Sequence, residues 1–108
     1  MMSKEKILVL DDEPDMLSSC KKFLARAGYQ ISIAERGKDA LEILEAESPD
    51  LVLTDLKMPG MDGMEVLKEV KKRRPETFVV MFTGFGTIED AVSAMKEGAF
   101  DFITKPFT

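Results

Sequence analysis

The chain contains no histidine and no tryptophan. Without an imidazole, Ser–His–Asp triads, histidine general bases and histidine-ligated zinc are excluded. One cysteine, Cys20, cannot close an internal disulfide, which fits a reducing compartment, the cytoplasm. No apolar run approaches the ~20 residues that cross a bilayer. The opening MMSKEKILVL lacks the longer apolar core and small-residue cleavage site of a secretory signal. Positive charge is in short supply too: the net charge of −5 argues against a general nucleic-acid surface. The rest is ordinary. At 108 residues, 44% hydrophobic and 32% charged, the composition is that of a single soluble domain, 1–108, with room for a real core.

Two hydrophobic patterns alternate along it. Short apolar runs at Ile7–Leu10, Ile31–Ala34, Leu51–Thr54, Phe78–Phe82 and Phe100–Thr104 read as strands. Between them lie segments of helical period. The first carries Met16, Cys20, Phe23, Leu24 and Ala27 on one face, begins at Pro14 and stops at Gly28. The second carries Ala40, Leu41, Ile43 and Leu44 and stops before Ser48-Pro49. The third opens on Asp62 as N-cap with Glu65 three residues on and runs to Pro75. The fourth opens at Thr87 and places Ile88, Ala91, Val92, Met95 and Ala99 on one face. Strands separated by helices imply an α/β fold with a parallel sheet and right-handed crossovers. The chain stops four residues after the fifth strand, so no helix is encoded to cover that face.

In an open parallel sheet, ligands bind beyond the carboxyl ends of the strands. Those ends carry Asp11 and Asp12, Asp55, Thr83 and Lys105. Glu35-Arg36 ends the second run, which an edge strand would carry away from the centre. Taken singly, each residue has an ordinary reading: Asp12 as a helix cap, Asp55 as a turn residue, Thr83 as a strand terminator, Lys105 as a solvated lysine. Their joint placement is what argues for a site. Two unit charges ~4 Å apart repel by ~4 kcal/mol at an effective dielectric of ~20. Lys105 offsets one of the three carboxylates, and a divalent cation would neutralise the remainder. All-oxygen ligands suit Mg²⁺ or Mn²⁺. With that charge cancelled, one carboxylate can attack a phosphoryl group, and lysine and threonine are apt partners for its oxygens. Cys20 and the methionines read as packing, and KEVKKRR as a solvated face or a partner contact.

The stretches VLDDEPD, LVLTDLKMPGMDGMEVLKEV, VVMFTGFG and GAFDFITKPF together resemble the receiver domain of bacterial two-component response regulators, from Lys6 to Thr108. The resemblance implies a flavodoxin-like, doubly wound five-stranded parallel sheet in the order 2-1-3-4-5. It makes Asp55 the phosphoryl acceptor, Asp12 a direct Mg²⁺ ligand, Asp11 a ligand through water, and Lys57 the donor of a backbone carbonyl. Lys105 pairs with the acceptor and then with the phosphoryl group, ahead of a cis bond to Pro106. Thr83 is the hydroxyl that moves to a phosphoryl oxygen, and Phe102 the switch aromatic, able to report only by packing. Lys57 and Phe85 flank the pocket and should set water access. The departure is the fifth helix, which the family carries beyond this point. Its absence implies a chain cut short at Thr108 or a short form covered by a partner, with an exposed apolar face that invites dimerisation.

The implied function is a signalling switch phosphorylated by a sensor histidine kinase, not an enzyme acting on a diffusible substrate. An aspartyl-phosphate phosphatase would carry a second aspartate two residues after the nucleophile, where this chain has Lys57. A phosphorylation-independent interaction module usually lacks the acceptor, the acidic pair or the lysine, and all are present. The stretch TGFGTIEDAVSAMKEGAFDFITKPF resembles receivers joined to nitrogen-regulator-type transcriptional activators, implying an effector domain outside this chain.

Overall fold

A Val/Ile/Leu-rich run that is apolar on both faces is stable only when both faces are covered, and the runs at Ile7–Leu10, Leu51–Thr54 and Phe78–Phe82 form the centre of the architecture. The structure, a computed structural model, describes residues 5–84 and 86–104. Its elements alternate: β1 (Lys6–Leu10), α1 (Pro14–Arg26), β2 (Gln30–Ala34), α2 (Gly37–Glu47), β3 (Leu51–Thr54), α3 (Gly63–Arg73), β4 (Phe78–Thr83), α4 (Ile88–Lys96) and β5 (Asp101–Thr104). The sheet is wholly parallel in the order β2-β1-β3-β4-β5, as the resemblance implied. Register pairs Leu10 with Ala34 on one side and with Thr54 on the other, and Thr54 with Met81. The carboxyl ends of β1, β3 and β4 therefore lie side by side.

Alternation along the strands splits the core in two. Leu8, Leu10, Val52, Val79 and Met81 face one way, into a cluster completed by Ala40, Leu41 and Leu44 of α2, Val66, Leu67 and Val70 of α3, and Ala94 of α4. Ile7 and Val9 face the other way, onto Leu17 of α1, with Cys20, Leu24, Ile31, Leu51 and Leu53 partly buried around them. This second layer is thin. A groove of about 290 Å³ runs along it, lined by Met16, Ser19, Cys20, Phe23, Leu24, Leu53 and Phe82. No helix among the described residues is long and apolar enough to cross a membrane.

Helices α3 and α4 start where their capping residues put them. Asp62 accepts from the Glu65 N–H at the start of α3. Thr87 and Asp90 form a reciprocal capping box at the start of α4. Helix α3 stops at Arg73, with Arg74 as its C-cap, short of the Pro75 limit.

Two helix faces differ from expectation. In α1 the fully buried residue is Leu17, while Phe23 is 70% exposed. In α4 the stripe Ile88, Val92, Met95 is exposed and Ala94 is buried, and Ala99 lies beyond the helix. Periodicity finds an apolar stripe but does not say which side the sheet is on. From α4 it is the small Ala94 that enters the larger core.

Candidate functional site

The strand order reverses between β1 and β3, since the chain leaves β1 for β2 and then returns to continue through β3. Such a switch point opens a crevice at the carboxyl ends, and Asp11, Asp12 and Asp55 sit there. One carboxylate oxygen from each lies within 4.8 Å of the other two. Asp11 and Asp55 are buried and Asp12 is exposed.

The backbone fixes both buried aspartates. The Asp11 N–H donates to the Ala34 carbonyl, and Asp11 Oδ1 accepts from the Glu13 N–H at 3.0 Å. The Asp55 N–H donates to the Leu10 carbonyl at 2.9 Å, continuing the β1–β3 ladder one step past the strand. Asp55 Oδ1 is 3.4 Å from the Lys57 N–H, and the Thr54 hydroxyl donates to the Asp55 carbonyl. The helix-cap reading of Asp12 fails, because the α1 N-cap is Glu13 and it makes no side-chain cap bond. Asp12 is left at the mouth of the crevice.

Thr83 ends β4 and is fully buried, so the residue that could have been a plain strand terminator is held beside the site. Lys57 is exposed. Phe102 packs against the larger core from β5. Lys105 and Phe85 lie outside the described residues, as does the Lys105–Pro106 bond. β2 is the edge strand, as expected, and Glu35 and Arg36 at its end meet only the outer side of the crevice. Because β2 adjoins β1, they line a pocket of about 500 Å³ with Asp12, Pro59 and Gly60.

Sequence reasoning missed Gly63, which reads as one more residue after an N-cap. Its N–H donates to the Leu56 carbonyl at 2.9 Å, and a Cβ there would run into the Asp55 carbonyl oxygen and lie 2.8 Å from Leu56 Cα. Only glycine lets the start of α3 press against the tip of β3. The signal available was a glycine at the first turn of a helix, where a better helix former would otherwise serve.

A five-stranded parallel sheet with a buried aspartate at the central strand's tip and two more beside it defines a CheY-like domain with an acidic crevice. The comparison with known sequences carries this further. The chain belongs to the response regulator receiver domain family, whose profile matches residues 7–108. It is 40% identical over 105 residues to the response regulator protein PilR of Pseudomonas aeruginosa, covering 97% of this chain and 24% of PilR. It is 39% identical over 106 residues to the DNA-binding transcriptional regulator NtrC of Escherichia coli, covering 98% of this chain and 23% of NtrC. The chain thus spans about a quarter of the length of these relatives. Among solved structures, the receiver domain of NtrX from Brucella abortus matches with a TM-score of 0.88 at 42% identity, covering 94% of this chain and 87% of that one. A CheY-like receiver domain protein from Methanospirillum hungatei matches with a TM-score of 0.94 at 36% identity, covering 98% and 85%.

Proposed function

We propose that this domain is a phosphorylation-controlled switch in which Asp55 accepts a phosphoryl group from a phosphohistidine on a sensor histidine kinase. The observation that carries the reading is the convergence of Asp11, Asp12 and Asp55 within 4.8 Å at the switch point of the sheet. A carboxylate is already ionised at neutral pH and needs no base to attack phosphorus. The Asp55 oxygen forms the new P–O bond as the P–N bond to the kinase imidazole breaks, and water later hydrolyses the acyl phosphate.

The donor set is three carboxylates, all hard oxygen ligands, and fits Mg²⁺, with Mn²⁺ as a substitute. Asp12 and Asp55 would hold the ion directly, Asp11 through water, and the Lys57 carbonyl would complete the protein's share. When bound, such an ion cancels charge on the phosphoryl oxygens. The chain's own residues do the rest. Backbone bonds to Leu10 and Glu13 hold the two buried aspartates in place. Thr83 offers its hydroxyl to a phosphoryl oxygen, Lys105 its ammonium, and side chains at Lys57 and Phe85 limit water access. Asp55 phosphorylation then biases Thr83, α4 and Phe102 toward a second arrangement that an effector module reads. Similarity to the DNA-binding transcriptional regulator NtrC supports a transcriptional output. No turnover of a diffusible substrate is expected, since Lys57 occupies the place of a phosphatase's second aspartate.

Incubation with acetyl phosphate and Mg²⁺, followed by peptide mapping, tests this. An adduct of about 80 Da, one phosphoryl group, is expected on Asp55 and should vanish in Asp55→Asn. A folded chain that takes no adduct would instead be an interaction module.

A further inference from the structure

Gly86 lies in the β4–α4 loop, where the surrounding side chains leave no room for a Cβ. A Cβ built on Gly86 would sit 2.5 Å from Phe102 Cζ, 2.6 Å from Phe102 Cε1 and 2.9 Å from Thr83 Cγ2. Real Cβ atoms do not approach this closely, so the ring, the threonine methyl and the Gly86 backbone meet around one point. Each belongs to a different part of the molecule. Thr83 ends β4 at the acidic crevice, and Phe102 comes from β5 into the larger core. Gly86 immediately precedes Thr87, whose capping box with Asp90 starts α4.

From this contact we infer that Gly86 is the positioning residue that couples Thr83 to Phe102 and α4: its missing side chain is the space the Phe102 ring occupies beside the Thr83 methyl. A shift of Thr83 or of the loop would press on a ring seated there, since close-packed contacts transmit displacement. Conversely, a ring that leaves frees the loop and the cap of α4 to move. The inference rests on the proposed role of Thr83 at the phosphoryl group and adds a residue that touches neither acceptor nor donor.

The test is a cycle of Gly86→Ala, Phe102→Ala and the double variant in this chain, read by Asp55 labelling from acetyl phosphate and by NMR. Cross-relaxation between the Phe102 ring and the Thr83 methyl is expected in the unphosphorylated parent and should disappear in Gly86→Ala. The labelling rate should fall by about fivefold with Phe102 present and by less than about twofold in the Phe102→Ala background, where the added methyl fits. Equal losses in both backgrounds, or an unchanged ring–methyl contact, overturn the inference. If Gly86→Ala fails to fold while the double variant folds, the steric coupling stands; if both fail, a backbone requirement replaces it. A parent that takes no label defeats the proposed function, but the ring–methyl contact in Gly86→Ala still decides the inference.

Discussion

Asp55 carries a cost that its neighbours make measurable. Three carboxylates with oxygens within 4.8 Å repel one another, and two of the three are buried. Asp55→Asn keeps the shape and removes one charge. In a chelator at low salt the variant is expected to be more stable than the parent by about 1 kcal/mol or more, a fraction of the ~4 kcal/mol for a close pair at moderate dielectric. Added Mg²⁺ should raise the urea midpoint of the parent and raise that of the variant much less, since the variant has lost a ligand. Equal responses to Mg²⁺ would remove Asp55 from the metal site. At this scale the sequence was legible at the tips of β1, β3 and β4, where Asp11, Asp55 and Thr83 are buried. It was illegible where the reason for a residue is what it lacks. Gly63 and Gly86 act through the side chain that would otherwise collide with Asp55 or Phe102, and spacing along the chain carries no trace of that.

Among elements, α3 and α4 differ in how they are held. Helix α3 buries Gly63, Val66, Leu67 and Val70, whereas α4 buries Ala94 and leaves Ile88 85% exposed. Local stability follows buried apolar contact, so amides of α4 are expected to exchange with solvent faster than those of α3 by native-state hydrogen exchange. Such a weakly held helix beside Thr83 and Phe102 is the kind of element a switch needs; equal protection of the two would argue against α4 as the moving part. The sequence marked both helices correctly, because Asp62 and Thr87 are strong N-caps with acidic partners. Of the α1 stripe, Cys20 and Leu24 pack on the core while Phe23 is exposed; of the α4 stripe, Ile88, Val92 and Met95 are exposed. An amphipathic stripe reports that some surface is to be covered, and in these two helices the apolar stripe is not wholly spent on the sheet.

The described residues form one thick hydrophobic layer and one thin one, although both sheet faces carry apolar side chains. Helices α2, α3 and α4 cover one face; α1 covers part of the other and leaves the groove bounded by Cys20, Phe23, Leu24, Leu53 and Phe82. Alternation of strands and helices was enough to imply a parallel sheet, but the strand order came only from family resemblance, since periodicity is blind to which strands become neighbours. The asymmetry predicts unequal costs for the same truncation. Leu67 is fully buried in the thick layer, so Leu67→Ala both removes transfer energy and leaves a sealed void, at a cost of about 3 kcal/mol or more. Leu24 already borders open space, so Leu24→Ala widens a groove and creates no new cavity, and its cost should be less than half as great. Urea unfolding of the two variants, compared at equal slope, measures the difference. Equal losses would mean that the α1 face is as tightly packed as the α3 face and that the groove is closed in solution.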